Sequence, residues 1–477
     1  MASKQRDRRR GGAIVLAAAV AAVAIAAVLG AVAMARPLGF VHVQSNLSRA
    51  STFASAHPDL AVSPDGEHVA VVWTEEYRRG LGYHKGHVYL RGVSEAGSGW
   101  GDKIAVFPAA DSACVYDAAV AITETAAHVA YVVFDNTCAA PERIQVRYRT
   151  CLLTTGECDD AQVVASVDTN DNTITWVDIA IDDKERPHVV WARYDEYGQD
   201  GAIRYRASDG TTWGDKLTVR SGFDSSSPAV AWADGYVHVV WEEVQGAGHQ
   251  VWYRRQDASG WGPFEDLCTQ QPTYVPGNPD VAAGNGTVFV VWDWCYALDG
   301  DSYCAQYDLV YRRSNDSGAS DSWGSHANET REVGTDYLYY GLEPLTHYNS
   351  TNNPAELDES FLDLQPAIAL NRDGWPAVVW QADRDGGEGT DYTVFVTYAT
   401  TGTQDAVSWI TPTVVGWGGT AQSAATVGVG QPAFDGEQHL HVAYMKDPAT
   451  SAWEVYYDSN EYDNYLHIYL PVTVRGS

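Results

Sequence analysis

The chain has 477 residues, 45% of them hydrophobic and 12% aromatic, with 17 tryptophans and 28 tyrosines. A formal net charge of −31 excludes a nucleic-acid binder and repels an anionic membrane surface. Cations, neutral sugars and proteins remain as partners, and so much aromatic content suits strands better than helices.

The chain opens on a basic head, "MASKQRDRRR", followed by an uncharged apolar run from Ala13 to Ala35. That run predicts one N-terminal hydrophobic helix, long enough to span a bilayer, while Ala33-Met34-Ala35 fits a signal-peptidase site. Residues 1–35 are therefore read as a signal peptide or an N-terminal membrane anchor, and both stay open. Positive charge ahead of the run sends the body outward, so it is expected to be extracytoplasmic, secreted or anchored, touching membrane only through this segment. Residues 36–56 read as a linker, with "GFVHVQSNL" a candidate ring-closing strand that would pair with the terminal "YLHIYLPVTV".

From residue 57 one line recurs roughly every 50–60 residues. It runs apolar strand, turn, then an apolar strand ending in an aromatic: "HPDLAVSPDGEHVAVVW", "TWVDIAIDDKERPHVVW", "SSPAVAWADGYVHVVW", "GNPDVAAGNGTVFVVW" and "LQPAIALNRDGWPAVVW" among them. Each unit reads as four strands. A and B are joined at turns such as Asp65-Gly66, Asp234-Gly235 and Asp373-Gly374; "IRYR"-like runs give C and "DKLTV"-like runs give D. The fold class predicted is all-β, a β-propeller of four-stranded antiparallel blades over residues 57–477, seven blades with six as the alternative. A loop insertion is expected around residues 333–362.

The C-to-D turns "SDGTTW", "SNDSGASDSW" and "SEAGSGW" resemble the Asp-box (BNR repeat) of sialidase-like propellers. In that motif a carboxylate caps local N–H groups, Gly takes positive φ and Trp packs inward. The resemblance implies that the B-to-C and D-to-A loops on the opposite face form the functional mouth. The sialidase Phe-Arg-(Ile or Leu)-Pro motif is absent. Most arginines, Arg147, Arg149, Arg204, Arg206, Arg254, Arg255, Arg312 and Arg313, recur in strand C and read as structural partners of local acids. Only Arg78, Arg193 and Arg384 remain in mouth loops, enough for a triad in principle, but the acidic mouth would repel a sialic-acid carboxylate.

At the mouth, Asp59, Asp117, Asp178 and Asp280 hold one repeated position. They read first as residues that shape the repeat, and alternatively as a carboxylate ring suited to a divalent cation such as Ca2+. Tyr77, Asp135, Arg193, Tyr194, Trp294 and Asp383 are the candidate ligand-binding residues. Glu75, Glu242 and Asp293 are the candidate catalytic carboxylates. The function expected is a binding module recognising glycan or extracellular protein through this face. The alternatives are a glycoside hydrolase or lyase of sialidase-like architecture, and a structural cell-surface protein.

Seven cysteines follow the export segment, in a compartment where disulfides persist. Cys151 and Cys158 are read as a hairpin clip and Cys114 and Cys138 as a pair at the mouth. Cys268 is expected to pair with Cys295, with Cys304 as competitor.

Overall fold

The computed structural model describes residues 45–48, 54–79, 83–94, 100–107, 114–134, 142–169, 172–195, 201–245, 248–268, 275–298, 304–320, 322–323, 332–333, 337–338, 343–344, 362–371, 373–383, 392–403, 406–409, 413–415, 431–434, 440–446 and 454–459. The export segment, most of the 36–56 linker, Asp135, Cys138, Arg384 and the terminal "YLHIYLPVTV" lie outside these residues, as does most of the insertion.

The alternation of Val and aromatics with small polar residues produces strands that pair as the repeat predicts. The first sheet holds Ala54–Val62, His68–Arg79, Tyr83–Ser94 and Ile104–Phe107; the second holds Cys114–Ile122, Ala126–Phe134, Arg143–Leu152 and Gln162–Asp168. Asn172–Ile181, Pro187–Asp195, Ala202–Ala207 and Leu217–Ser221 make the third, and Asp224–Ala233, Tyr236–Gln245, Gly248–Asp257 and Gly260–Asp266 the fourth. The tight turn between the first two strands of the fourth sheet is Asp234-Gly235, with φ of 55° and 84°, the doubly left-handed geometry that a two-residue hairpin requires.

Among the described residues the strands, followed along their ladders, form six propeller sheets, the alternative count, and not seven separate blades. The cause lies in the fifth and sixth repeats. Val275–Gly284, Thr287–Leu298 and Cys304–Ser314 join Leu362–Leu370, Pro376–Asp383 and Tyr392–Thr403 through one parallel pair, Tyr307 with Leu362, giving a nine-stranded sheet. The fifth repeat takes Glu343–Pro344, from the insertion, as its outer strand. In the last sheet Gln431–Phe434, Leu440–Lys446 and Glu454–Ser459 are completed by Ser45–Asn46, so the start of the chain supplies its outermost strand. The ring-closing role expected near residue 40 thus falls on Ser45–Asn46, paired with Tyr456 and Tyr457. The innermost strands of successive repeats touch in unbroken order around the axis, the last returning to the first.

Core packing lies between sheets. Trp73, Trp191, Trp241, Trp292 and Trp380, which lie within the second strand of their repeats, are fully buried. Each is worth about 1.5–3 kcal/mol against exposure. One apolar cluster joins Leu60, Val71 and Trp73 of the first sheet to Ala443, Val455 and Tyr457 of the last.

Two polar devices repeat at these seams. A tryptophan from one repeat meets, edge to face, a tyrosine of the repeat before it: Trp213 on Tyr148, Trp261 on Tyr205, Trp323 on Tyr253 and Trp409 on Tyr311. Three of those tyrosines are fixed by a histidine of their own sheet, as in His238 Nδ1 to Tyr253 Oη at 2.8 Å. Further out, Arg149, Arg206 and Arg254 donate to the carbonyls of Val106, Val164 and Val219 in the preceding sheet. The same guanidiniums donate to the carbonyls of Asp159, Gly214 and Gly262 in their own turns. These arginines are structural as expected, but their partners are carbonyls rather than acids.

Cys151 and Cys158 form the expected disulfide. Cys114 is disulfide-bonded, its expected partner Cys138 lying outside the described residues. The expected pairing of Cys268 with Cys295 does not form. Cys268 is a free, buried thiol whose sulfur accepts the Val251 N–H at 3.0 Å. Burial pushes that thiol up to about 12.

Candidate functional site

The innermost strand of six repeats carries a bulge before its apolar half, between Ala56 and Asp59 in the first repeat and between Leu364 and Ala367 in the sixth. Five of these bulges place a non-glycine residue in the left-handed region: His57, Trp176, Ser227, Asn278 and Gln365, with φ from 43° to 51°. A non-glycine residue there costs of order 1–3 kcal/mol and persists only where neighbours hold it. All five line one cavity of about 270 Å³ at the axis. They share it with Asp59, Asp117, Asp178 and Asp280, and no lysine or arginine is among the lining residues.

The four aspartates span seams. In each, Oδ1 accepts the N–H of the next residue in its own strand and Oδ2 accepts an N–H from the next repeat. The cross-seam bonds are Val120 to Asp59 at 2.6 Å, Val177 to Asp117 at 2.9 Å, Val230 to Asp178 at 2.6 Å and Ile368 to Asp280 at 2.8 Å. The own-strand bonds to Leu60, Ala118, Ile179 and Val281 are 2.7–2.9 Å. The repeat-shaping role is therefore a staple between sheets. Part of each side chain faces the cavity while dense protein surrounds the rest. Desolvation lifts Asp59 to about 7 and Asp280 to about 6, and holds Asp178 well above the usual carboxylate range. Asp117 is also raised by burial, with His57 Nδ1 at 3.8 Å opposing the shift. All eight oxygens already accept an N–H, so a Ca2+ ion would reach them only through lone pairs turned to the cavity.

Two of the bulges carry an exposed ring, Trp176 in the cavity wall and Tyr116 beside His57. Trp176 is 38% exposed and Tyr116 37% exposed. Trp176 meets Tyr194 edge-on at 6.3 Å, and Tyr116 lies 6.3 Å from His57 and edge-on to Phe134 at 6.1 Å. Neither Trp176 nor Tyr116 is among the residues anticipated from sequence. Trp176 stands where other repeats carry His57, Ser227, Asn278 or Gln365, and Tyr116 where they carry Pro58, Pro228, Pro279 or Pro366; those substitutions are the signal that would have found them.

The anticipated residues divide. Tyr194 is half-buried behind Trp176, its hydroxyl bonded to Ser226 and its pKa raised by burial. Arg193 is partly buried on the same strand. Trp294, expected as a binding aromatic, is 3% exposed and packs in the core between the fourth and fifth repeats. The side chains of Tyr77 and Asp383 lie outside the description. Glu75 is buried; it accepts the Trp73 indole N–H at 3.0 Å and pairs with Lys103, so it is committed to its sheet.

Glu242 and Asp293 come together across a seam. A side chain at Gly277 would meet Asp293 Oδ1 at 2.9 Å and Glu242 Oε2 at 3.8 Å, so the two carboxyls flank one glycine beside the rim. Glu242 Oε1 contacts His249 Nδ1 at 3.2 Å. Asp293 is buried and accepts from Asn278 Nδ2 at 2.8 Å and Gln365 N at 3.0 Å. Burial lifts it to about 6, with Glu242 adding to the shift.

No protein family matches the sequence, and no curated protein does. Solved propellers resemble the structure. An α-L-arabinofuranosidase of Fusarium graminearum in complex with arabinobiose gives a TM-score of 0.43 at 12% identity, over 86% of this chain and 94% of that one. An intramolecular trans-sialidase from Ruminococcus gnavus gives 0.43 at 10% identity, over 89% and 96%. The sialidase of Trypanosoma rangeli gives 0.44 at 9% identity over 90% of this chain, which spans 59% of that longer protein. The likeness is one of fold.

Proposed function

We propose that the chain is an extracytoplasmic binding module that seats a glycan in its axial mouth, with Trp176 and Tyr116 as stacking faces. The observation that carries this reading is the exposed Trp176 ring in the wall of a polar cavity, with exposed Tyr116 beside the lining residue His57. Sugar rings offer C–H edges to aromatic faces and hydroxyls to polar groups such as Ser227, Asn278 and Gln365, and such a site needs few charges. The −31 net charge and the acidic lining favour a neutral or amine-bearing sugar over a carboxylated one. A glycan array probed with the full chain and with Trp176→Ala tests it. Saturable binding lost in the variant supports the site, and an empty array removes it.

Glu242 and Asp293 favour a second reading, a glycoside hydrolase. A buried carboxyl with raised pKa beside a less buried one is the arrangement that acid/base cleavage of a glycosidic bond uses. Hydrolysis of the bound sugar, abolished in Glu242→Gln with binding retained, would decide for it.

A further inference from the structure

We propose that the four axial aspartates form a proton-operated clasp on the sheet seams, tight when protons are shared among them and slack when all four are charged. Asp59, Asp117, Asp178 and Asp280 each tie their own innermost strand to the next one, one backbone N–H on each oxygen. Four seams therefore converge on carboxyls that wall a single cavity. An oxygen holding one N–H keeps a second lone pair, and a proton placed there leaves the seam bond intact.

The groups facing each carboxyl set the balance. Asp59 feels Asp280 and Asp117, and Asp178 feels Asp59 and Asp280. Among the described residues, Asp117 alone of the four has a basic neighbour, His57 at 3.8 Å. Asp293, bonded to Asn278 and Gln365 of the same rim, adds a fifth buried carboxyl. With no lysine or arginine among the described lining residues, complete ionisation sets like charges around one poorly solvated space.

The direction follows from linkage. A carboxyl whose pKa rises on folding holds its proton more tightly in the ring than in the open chain. Its contribution is complete below the unfolded value near 4 and is lost as pH climbs through the folded value, about 6 for Asp280 and about 7 for Asp59. The buried histidines His128, His188 and His238 act in the opposite sense below about 6.5. The window in which the clasp acts without them is therefore about pH 6.5 to 8.

The test is hydrogen exchange at the cross-seam amides of Val120, Val177, Val230 and Ile368 in the full chain, corrected for hydroxide catalysis, alongside the thermal midpoint. Protection and midpoint are expected to fall together from pH 6.5 toward 8, by up to about tenfold per pH unit in the opening equilibrium for each aspartate still protonated in the fold, and to level off once all are ionised. Asp59→Asn and Asp178→Asn should flatten both slopes, and Asp209→Asn, in an exposed turn, should leave them as they are. Should the axial variants fail to fold, the exchange profile of the unaltered chain decides alone. Corrected protection that stays constant or rises across the window overturns the proposal, and so does an unchanged slope in folded Asn variants. Neither result depends on what the mouth binds.

Discussion

Trp100 of the first repeat stands edge-on to Tyr457 of the last, their ring centroids 4.7 Å apart. The ring is thus closed by the contact that joins its interior seams, and Tyr457 is held by His441 Nδ1 at 2.5 Å, as its counterparts are held by theirs. Ser45–Asn46 pairs beside it, and Leu47 is buried in the same cluster. Closure therefore combines a borrowed strand with a side-chain clasp.

Trp100→Ala should cost about 2–3 kcal/mol in denaturant unfolding, at the low end for a large aromatic because Trp100 is only partly buried. Trp213→Ala, at an interior seam, should cost a similar amount. A negligible loss for Trp100→Ala beside a large one for Trp213→Ala would place closure elsewhere.

Arg206 donates to Gly214 O at 2.6 Å, to Val164 O at 2.6 Å and to Trp213 O at 3.4 Å. Arg206→Met should destabilise the fold by about 2 kcal/mol, since three carbonyls lose a charged donor. Glycan binding by the folded variant should be unaltered, and this separates a seam clamp from an anion-gripping arginine.

Below about pH 6.5 the buried histidines should draw stability out of the fold, in the sense opposite to the axial aspartates. Burial holds His128 down to about 4 and His238 to about 3. Each is neutral in the fold but protonated in the open chain below about 6.5, so its contribution is present above that pH and lost as pH falls. The loss approaches about 1.4 kcal/mol per pH unit for each histidine. His238→Phe should be less stable at pH 7, having lost the Tyr253 bond, yet show a shallower acid limb. An equally steep limb would count against this cause.

Reducing Cys151–Cys158, which closes a loop of seven residues' separation, should cost about 2.5 kcal/mol on the chain-entropy account. The hairpin lies at the end of the sheet away from the mouth, so ligand affinity should not move. A fluorescence titration on reduced and oxidised protein would compare the two.

The propeller was legible in the sequence because its signals are local and repeated. Strand alternation, Asp-Gly turns and an aromatic in each second strand are all short-range patterns that recur. The sheet count was not legible, since the single parallel pair Tyr307–Leu362 depends on where the insertion returns the chain. The recurrent aspartates were visible as a repeat, but their cross-seam bonds join residues 52–88 apart and no spacing rule announces them. Trp294 misled because a strand-end aromatic beside an acidic loop looks exposed, whereas the sheet turns it into the interblade core. Trp176 and Tyr116 were missed for the converse reason: they stand where the repeat has a structural residue, and only the bulge turns them outward.

The most direct test of the account is equilibrium binding of an array-selected glycan to the full chain, to Trp176→Ala and to Tyr116→Ala. The account predicts saturable binding of a neutral or amine-bearing sugar, weakened about tenfold or more by Trp176→Ala, with the thermal midpoint nearly unchanged because the ring is exposed. Equal affinity in both variants and the parent chain would contradict it and move the site off the axial mouth.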